Sequence, residues 1–309
     1  MSVFIETTDT ENHKWIDARF DLKNPSAGRK LYEEEHVAGA VFWDLEKDLS
    51  DMSSSEGRHP MPSTEKLTEL IRSSGLDTKD SVVIYDQGGS PYAARAWWLL
   101  KYAGFDQVHI SQKGLDKLKE QGIDVSAEIP DLQPTDVKPH FHDELFADQA
   151  YVKKVISGDE LGVLVDARSA ARYAGLEEPI DPVAGRIPGA RNLDWAQFVG
   201  KGEFKLSDDI SHVVQKHEPA VVYCGSGVTA AALYAIMAEK GYEQLKLYMG
   251  SFSDWITETE NVVEFDRDGQ PEAADGQTKA ILAKLIEEGY SGEMLMKKFE
   301  YEKSLLDSK

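Results

Sequence analysis

AVVYCGSGVTAAALYAIM, residues 220–237, runs from a β-branched apolar stretch through a loop of small residues into a helical pattern. A run as short and wholly apolar as AVVY is expected of a strand covered on both faces, the habit of parallel sheets flanked by helices. The following TAAALYAIMAEKGY (229–242) has apolar residues spaced near 3.6 and ends at Gly241, a C-cap signal. In an open parallel sheet, ligands bind beyond the carboxyl ends of the strands, which is where Cys224 falls. Gly225 and Gly227 admit unusual backbone dihedrals and close approach of a ligand. The loop N–H groups, with those of Val228 and Thr229 at the helix start and the helix's positive pole, then form a cradle for an anion. Cys224 stands at its centre, where amides and dipole favour thiolate, the nucleophilic form.

Working outward, the same landmarks occur twice. WIDARF (15–20), EHVAGAVFWDL (35–45), SVVIYD (81–86), AARAWWLLKYAGF (93–105) and VHI (108–110) are matched in order by VLVDARS (163–169), GRIPGARNLDW (185–195), AVVYC (220–224), the 229–242 helix and LKLYMGSFSDW (245–255). The offset is 149 from Asp17 to Asp166 and 138 from Asp86 to Cys224, a drift that a few loop insertions or deletions produce. Self-similarity over this length indicates duplication. Strands alternate with helices in each unit, so the fold class is α/β, two domains side by side. The expected limits are 1–130 for the first domain, 131–144 for a linker containing Pro134 and Pro139, and 145–266 for the second domain. A tail of 267–309 has two short amphipathic helices at 279–289 and 293–306, whose apolar faces would pack on the body or on a partner, including a second copy. Asp86 occupies the place of Cys224 in the first half. A carboxylate is a far weaker nucleophile than a thiolate, so only the second domain is expected to be catalytic. Asp17–Arg19 and Asp166–Arg168 recur in both halves and read as ion pairs fixing a strand end.

Composition bounds the partners. The chain of 309 residues is 41% hydrophobic and 9% aromatic, enough to bury real cores. Its 55 acidic residues against 34 basic ones give a net charge of -21. That disfavours nucleic acid and anionic membranes, and an anionic substrate needs a local cation against the global field. The single cysteine excludes an intramolecular disulfide and any multi-cysteine zinc or iron–sulfur site within one chain. No cofactor and no metal are expected. Without a signal-peptide pattern at MSVFIETTDTENHKW or an apolar run long enough to span a bilayer, the expected compartment is the cytoplasm.

CGSGVTA (224–230) resembles the active loop of 3-mercaptopyruvate sulfurtransferases, within the rhodanese family. LVDARSAARYAG (164–175), GRIPGARNL (185–193), YMGSFSDW (248–255), EHVAGAVFWDL, RHPMP (58–62) and RAWWLLKYAGF (95–105) extend the likeness over about residues 14–260. The resemblance implies two tandem rhodanese-like domains with the site at their interface. It implies a transferase that moves sulfane sulfur from a small anionic donor, 3-mercaptopyruvate or thiosulfate, to cyanide or a thiol. The carrier is a Cys224 persulfide and the kinetics are ping-pong. It also implies a relay of Ser226, His59 and Glu46, and a donor-binding Arg172. The second donor arginine usual in the family is missing: EEPIDPVAG (177–185) has Ile180 and Asp181 there. Tyr92 and Phe20 are candidates for an apolar wall over the persulfide.

Other readings are weaker. A cysteine-dependent phosphatase needs arginine six residues after the nucleophile, where Ala230 stands. A serine hydrolase built on Ser226 would need glycine at 224. A non-catalytic rhodanese-like binding or redox-sensing protein is the remaining alternative.

Overall fold

A computed structural model describes residues 2–267, 270–273, 281, 284, 285, 298, 299 and 302. The first domain contributes five strands to one sheet: β1 Phe4–Ile5, β2 Lys14–Asp17, β3 Val41–Phe42, β4 Val82–Tyr85 and β5 Val108–Ser111. The second contributes β6 Phe146–Ala147, β7 Val163–Asp166, β8 Arg191–Asn192, β9 Ala220–Tyr223 and β10 Leu245–Tyr248. Every pairing in both sheets is parallel. The spatial orders are β1-β5-β4-β2-β3 and β6-β10-β9-β7-β8, the same arrangement twice. The duplication in the sequence is therefore a duplication of topology.

Alternation along the central strands decides which residues meet between the domains. Val82 and Ile84 on β4, and Ala220 and Val222 on β9, belong to one shared core. Their neighbours Val83 and Tyr85 face a separate cluster in the first domain, and Val221 and Tyr223 one in the second. This is the two-residue period of a strand covered on both faces. Two helices close the shared core, α1 Tyr92–Tyr102 and α2 Val228–Glu239. Residues 230–237 of α2 are all buried, because β9 covers one side and α1 the other. Tyr234 sits 6.2 Å from Trp97 and 6.4 Å from Trp98, ring centre to ring centre. Each such buried aromatic contributes on the order of 2 kcal/mol through area alone. Gly104 and Gly241 have positive φ of 87° and 80°, as the C-cap reading requires.

The ion pairs expected at the strand ends are present in both halves, at 2.6 Å for Arg19–Asp17 and 2.6 Å for Arg168–Asp166. Each arginine also donates to a main-chain oxygen, Glu35 or Gly185. Segment 127–142 contains no helix or strand. Much of the tail reading lies outside the described residues. Within it, Gln270–Ala273 form a strand paired antiparallel with Glu264–Arg267 across the expected 266/267 boundary; 281, 284, 285, 298, 299 and 302 are helical, and Leu285 and Phe299 are buried in the second domain's cluster with Tyr223 and Phe252. Among the described residues, no helix is long and apolar enough to cross a membrane.

Candidate active site

Strand β9 ends at Tyr223 and α2 begins at Val228, so Cys224–Gly227 forms the connecting loop. Gly227 takes φ +77° at the N-cap and turns its N–H onto Cys224 Sγ at 3.1 Å. The loop's other face is held from below. Ser251 Oγ accepts from Cys224 N at 3.1 Å, while the N–H groups of Phe252 and Ser253 donate to the Cys224 and Gly225 carbonyls at 3.0 and 2.9 Å. The first two loop carbonyls are thus engaged by 252–253. The N–H groups of Gly225, Ser226, Val228 and Thr229 have no acceptor among the described residues. These are among the N–H groups expected from the sequence to line an anion cradle. Cys224 is 2% exposed, and the large clefts lined by Arg72, by Gln149, by Trp15 or by Tyr151 do not include it in their walls.

The corresponding loop of the first domain holds a carboxyl group of its own. Asp86 accepts from Gly88 N at 2.8 Å and Ala93 N at 3.0 Å. Burial pushes its carboxyl up to about 7, with those hydrogen bonds pulling the other way. Phe20 and Tyr92 pack on each other 5.5 Å apart beside that loop, where Asp86 adds to the burial that raises the Tyr92 phenol. Their contacts place them at the first domain's loop, not as a wall over Cys224.

Residues 57–60 of the first domain cross to the second. The Arg58 N–H donates to Ser253 Oγ at 3.1 Å, and His59 Nδ1 shares a 2.9 Å hydrogen bond with Ser226 Oγ. Sequence reasoning paired Ser226 with His59, and the structure brings them together. It does not bring Glu46 to them. Among the described residues, no hydrogen bond joins Glu46 to His59. Glu46 sits half-buried in a turn where its N–H bonds Asp44, and burial followed by the Asp44 charge raises its carboxyl. The first domain instead sets a cation behind the histidine. Arg95 on α1 is fully buried and donates to the carbonyls of Leu49 (3.1 Å) and His59 (2.9 Å), with a further contact to Met249 Sδ.

This setting fixes the charge of the imidazole. Burial pushes His59 down to about 3, and Arg95 and Arg58 act in the same direction. The folded protein holds it neutral through the physiological range, whereas an unfolded imidazole protonates near 6.5. The contribution of His59 to stability is therefore whole above about pH 6.5 and is lost as pH falls toward 3. His59→Gln is expected to lose less melting temperature than the parent between pH 6.5 and 4.5. Parallel thermal melts check this, and equal pH slopes would contradict it.

Arg172 lies at the loop, as the resemblance implied, but it is already engaged. It donates to Glu178 at 3.0 and 2.7 Å and to Asp181 at 3.1 Å. Arg58 stands on the other side, in an ion pair with Asp181 that has the geometry of a charge contact, not of a directed hydrogen bond. A Cβ added at Gly225 would lie 2.6 Å from Arg58 Nη2 and 3.2 Å from Arg172 Nη2, so both guanidinium groups close on the loop. Burial pushes Arg58 down to about 10 and Arg95 to about 9. Arg172 adds to the lowering of Arg58, whereas Cys224 opposes both shifts. Arg58, Arg95, Glu178 and Asp181 were not singled out as site residues from sequence, although RHPMP and RAWWLLKYAGF contained the two arginines. A charge within a matching segment of the other domain was the available signal. No cluster of three or more His, Cys, Asp or Glu among the described residues is placed to hold a metal ion.

Comparison with known proteins agrees with this architecture. The rhodanese-like domain model matches twice, over residues 2–121 and 148–258. The chain is 38% identical over 253 residues to the "Probable 3-mercaptopyruvate sulfurtransferase" of Pseudomonas aeruginosa, covering 79% of this chain and 89% of the relative. It is 33% identical over 280 residues to the 3-mercaptopyruvate sulfurtransferase of Escherichia coli K12, covering 84% and 94%. The crystal structure of SseA from Escherichia coli superposes with a TM-score of 0.69 at 29% identity, over 82% of this chain and all of that one.

Proposed function

The chain belongs to the rhodanese-like family, and from that premise we propose that it is a sulfurtransferase working through a persulfide on Cys224. The Cys224 thiolate attacks the sulfur of the donor. With 3-mercaptopyruvate the C–S bond breaks, its electron pair passes to the departing enolate, and the enolate takes up a proton to leave as pyruvate. With thiosulfate the S–S bond breaks and sulfite leaves with the pair. Cyanide or a thiolate then attacks the outer sulfur of the persulfide, and the electron pair of that S–S bond returns to Cys224. Two half-reactions on one nucleophile give ping-pong kinetics.

The observation that carries this reading is the ring of N–H groups around Sγ. One already points at the sulfur from 3.1 Å, and four have no acceptor among the described residues. Such a ring stabilises a charged sulfur without any need for a metal. Ser226, hydrogen-bonded to a neutral His59, is the candidate proton relay for the enolate, and Arg172 the candidate partner of the donor's anionic end. Glu46 drops out as a direct partner of His59. The same reading places the chemistry in residues 145–266 and donor recognition partly in 1–130, joined by 131–144. It sets the enzyme in the cytoplasm, with self-association or partner contact through 267–309 as a further part. Sedimentation of the full chain across concentrations tests the self-association, and a constant monomer mass would refute it.

Exposure of the purified protein to 3-mercaptopyruvate or thiosulfate is expected to add one sulfur atom to its mass, releasable by cyanide as thiocyanate. A protein that gains no cyanolysable sulfur from either donor would overturn the assignment. The ratio of kcat/KM for the two donors then identifies the preferred one.

A further inference from the structure

Arg95 is a buried cation that lacks a carboxylate. It lies on α1 and is fully buried, yet no carboxylate among the described residues forms an ion pair with it. Arg19, Arg168, Arg172 and Arg186 all have such partners. A guanidinium taken out of water without a counter-ion is costly, so packing alone does not account for it. The duplication supplies a control. Arg95 stands nine residues before the C-cap Gly104, and the residue nine before Gly241 in α2 is Ala232, also fully buried. The repeated helix therefore does not require an arginine at that place.

The contacts of the guanidinium lead to the relay. Nη2 donates to the carbonyls of Leu49 at 3.1 Å, His59 at 2.9 Å and Pro60 at 3.4 Å. These bonds hold the main chain from which the His59 imidazole reaches Ser226. Nη1 faces the second domain, toward Met249 Sδ and 2.8 Å from where a Cβ on Gly227 would lie, and the Gly227 N–H points at Cys224 Sγ. One side chain of the first domain thus bears on both the histidine and the nucleophile loop. The charged groups acting on His59 are Arg95 from α1 and Arg58 beside it, with the Cys224 loop reached through Ser226.

We propose that Arg95 is the positioning residue of the proton relay, fixing His59 against Ser226 so that the pair passes a proton to the departing enolate. The inference rests on the sulfurtransferase reading and deepens it by giving the relay a cation where an acid was expected. An imidazole held neutral, with two guanidinium groups adding to its burial, suits passage of a proton and not its storage. The balance of the 3-mercaptopyruvate step asks for no more. The donor's thiol gives up one proton, the enolate takes up one at carbon, and Cys224 is left as the persulfide anion. The other two steps move no proton. Thiosulfate loads its outer sulfur and leaves as the sulfite dianion, and cyanide carries sulfur away as thiocyanate while the thiolate returns. Damage to the relay is therefore selective for 3-mercaptopyruvate, whereas a general loosening of the loop slows all three steps.

Single-turnover rates on the full chain test this, with loading followed by mass and discharge to cyanide by thiocyanate release. Arg95→Lys keeps the charge but loses the planar fork that spans the three carbonyls. It is expected to slow loading from 3-mercaptopyruvate by about a hundredfold, and discharge of the loaded sulfur by at least about tenfold less than that. Equal slowing of loading and discharge overturns the proposal, and so does parental loading from 3-mercaptopyruvate. If Arg95→Lys does not fold, Arg95→Met, which removes the buried charge altogether, decides by the same criterion. The imidazole gives a reading that needs no change at Arg95. In nitrogen NMR of the unaltered protein, the His59 signals, identified by their loss in His59→Gln, are expected to stay those of neutral imidazole from about pH 8 to about pH 5. Titration within that range overturns the proposal. Loading of the unaltered protein from thiosulfate alone would leave the sulfurtransferase reading standing and overturn the relay role, whereas loading from neither donor would remove the sulfurtransferase reading itself.

Discussion

Cys224→Ser is expected to lower sulfur transfer by at least about a thousandfold, to the limit of detection, while leaving the melting temperature nearly unchanged. Serine cannot form the persulfide, and no second cysteine exists in the chain to substitute for it. The stability forecast follows from how the residue is held. Its N–H and C=O are bound by Ser251 and Phe252 through the main chain, so these contacts do not depend on sulfur. The Gly227 N–H that points at Sγ can point at a hydroxyl instead. Steady-state assays with both donors, with mass spectrometry after donor exposure, check the first part, and thermal melts the second. Residual transfer within a few-fold of the parent would refute Cys224 as the carrier.

Gly227→Ala is expected to damage fold and chemistry together. The position takes φ +77°, where a non-glycine residue is strained by about 1 kcal/mol or more. A Cβ there would also lie 2.2 Å from the Met249 carbonyl oxygen and 2.8 Å from Arg95 Nη1. The first atom is backbone and the second belongs to a guanidinium buried at the domain junction, so neither can yield cheaply. A total loss of about 3 kcal/mol, equivalent to a fall of roughly 6–12 °C in melting temperature, is the expected scale. Relief requires the loop to move, which turns the 227 N–H away from Sγ. The surviving folded protein should therefore show kcat reduced by about tenfold or more. Melts and steady-state kinetics on the same preparation separate the two effects, and a variant with parental kcat would show that this N–H does not support the reacting sulfur.

Much of the site could be read before folding because its core is local. Cys224, Gly225, Ser226 and Gly227 lie on one strand-to-helix turn, and the same turn at Asp86 shows what the scaffold does without the nucleophile. The repeated Asp-x-Arg triplets were legible as ion pairs for the same reason, since two residues of separation bring both charges to one strand end. Resemblance reached farther and correctly joined Ser226 to His59 across 167 positions. Its extension to Glu46 failed. The 44–48 turn spends its polar groups internally, with Asp44 accepting from Glu46 and Lys47, and the space beside the 59 main chain goes to Arg95.

Periodicity, duplication and turn chemistry are properties of neighbouring residues, and they settle the two α/β units, the single reactive sulfur and the glycine-lined loop that presents it. The charge pattern around that sulfur is not local. Arg58 and Asp181 are distant in the chain, and Arg95 projects from the far side of the domain junction, so their meeting depends on how α1 packs against α2. Electrostatic energy falls with distance through space, not along the chain. Only the folded arrangement shows that Asp181 lies between Arg58 of the first domain and Arg172 of the second, beside the loop that holds Cys224.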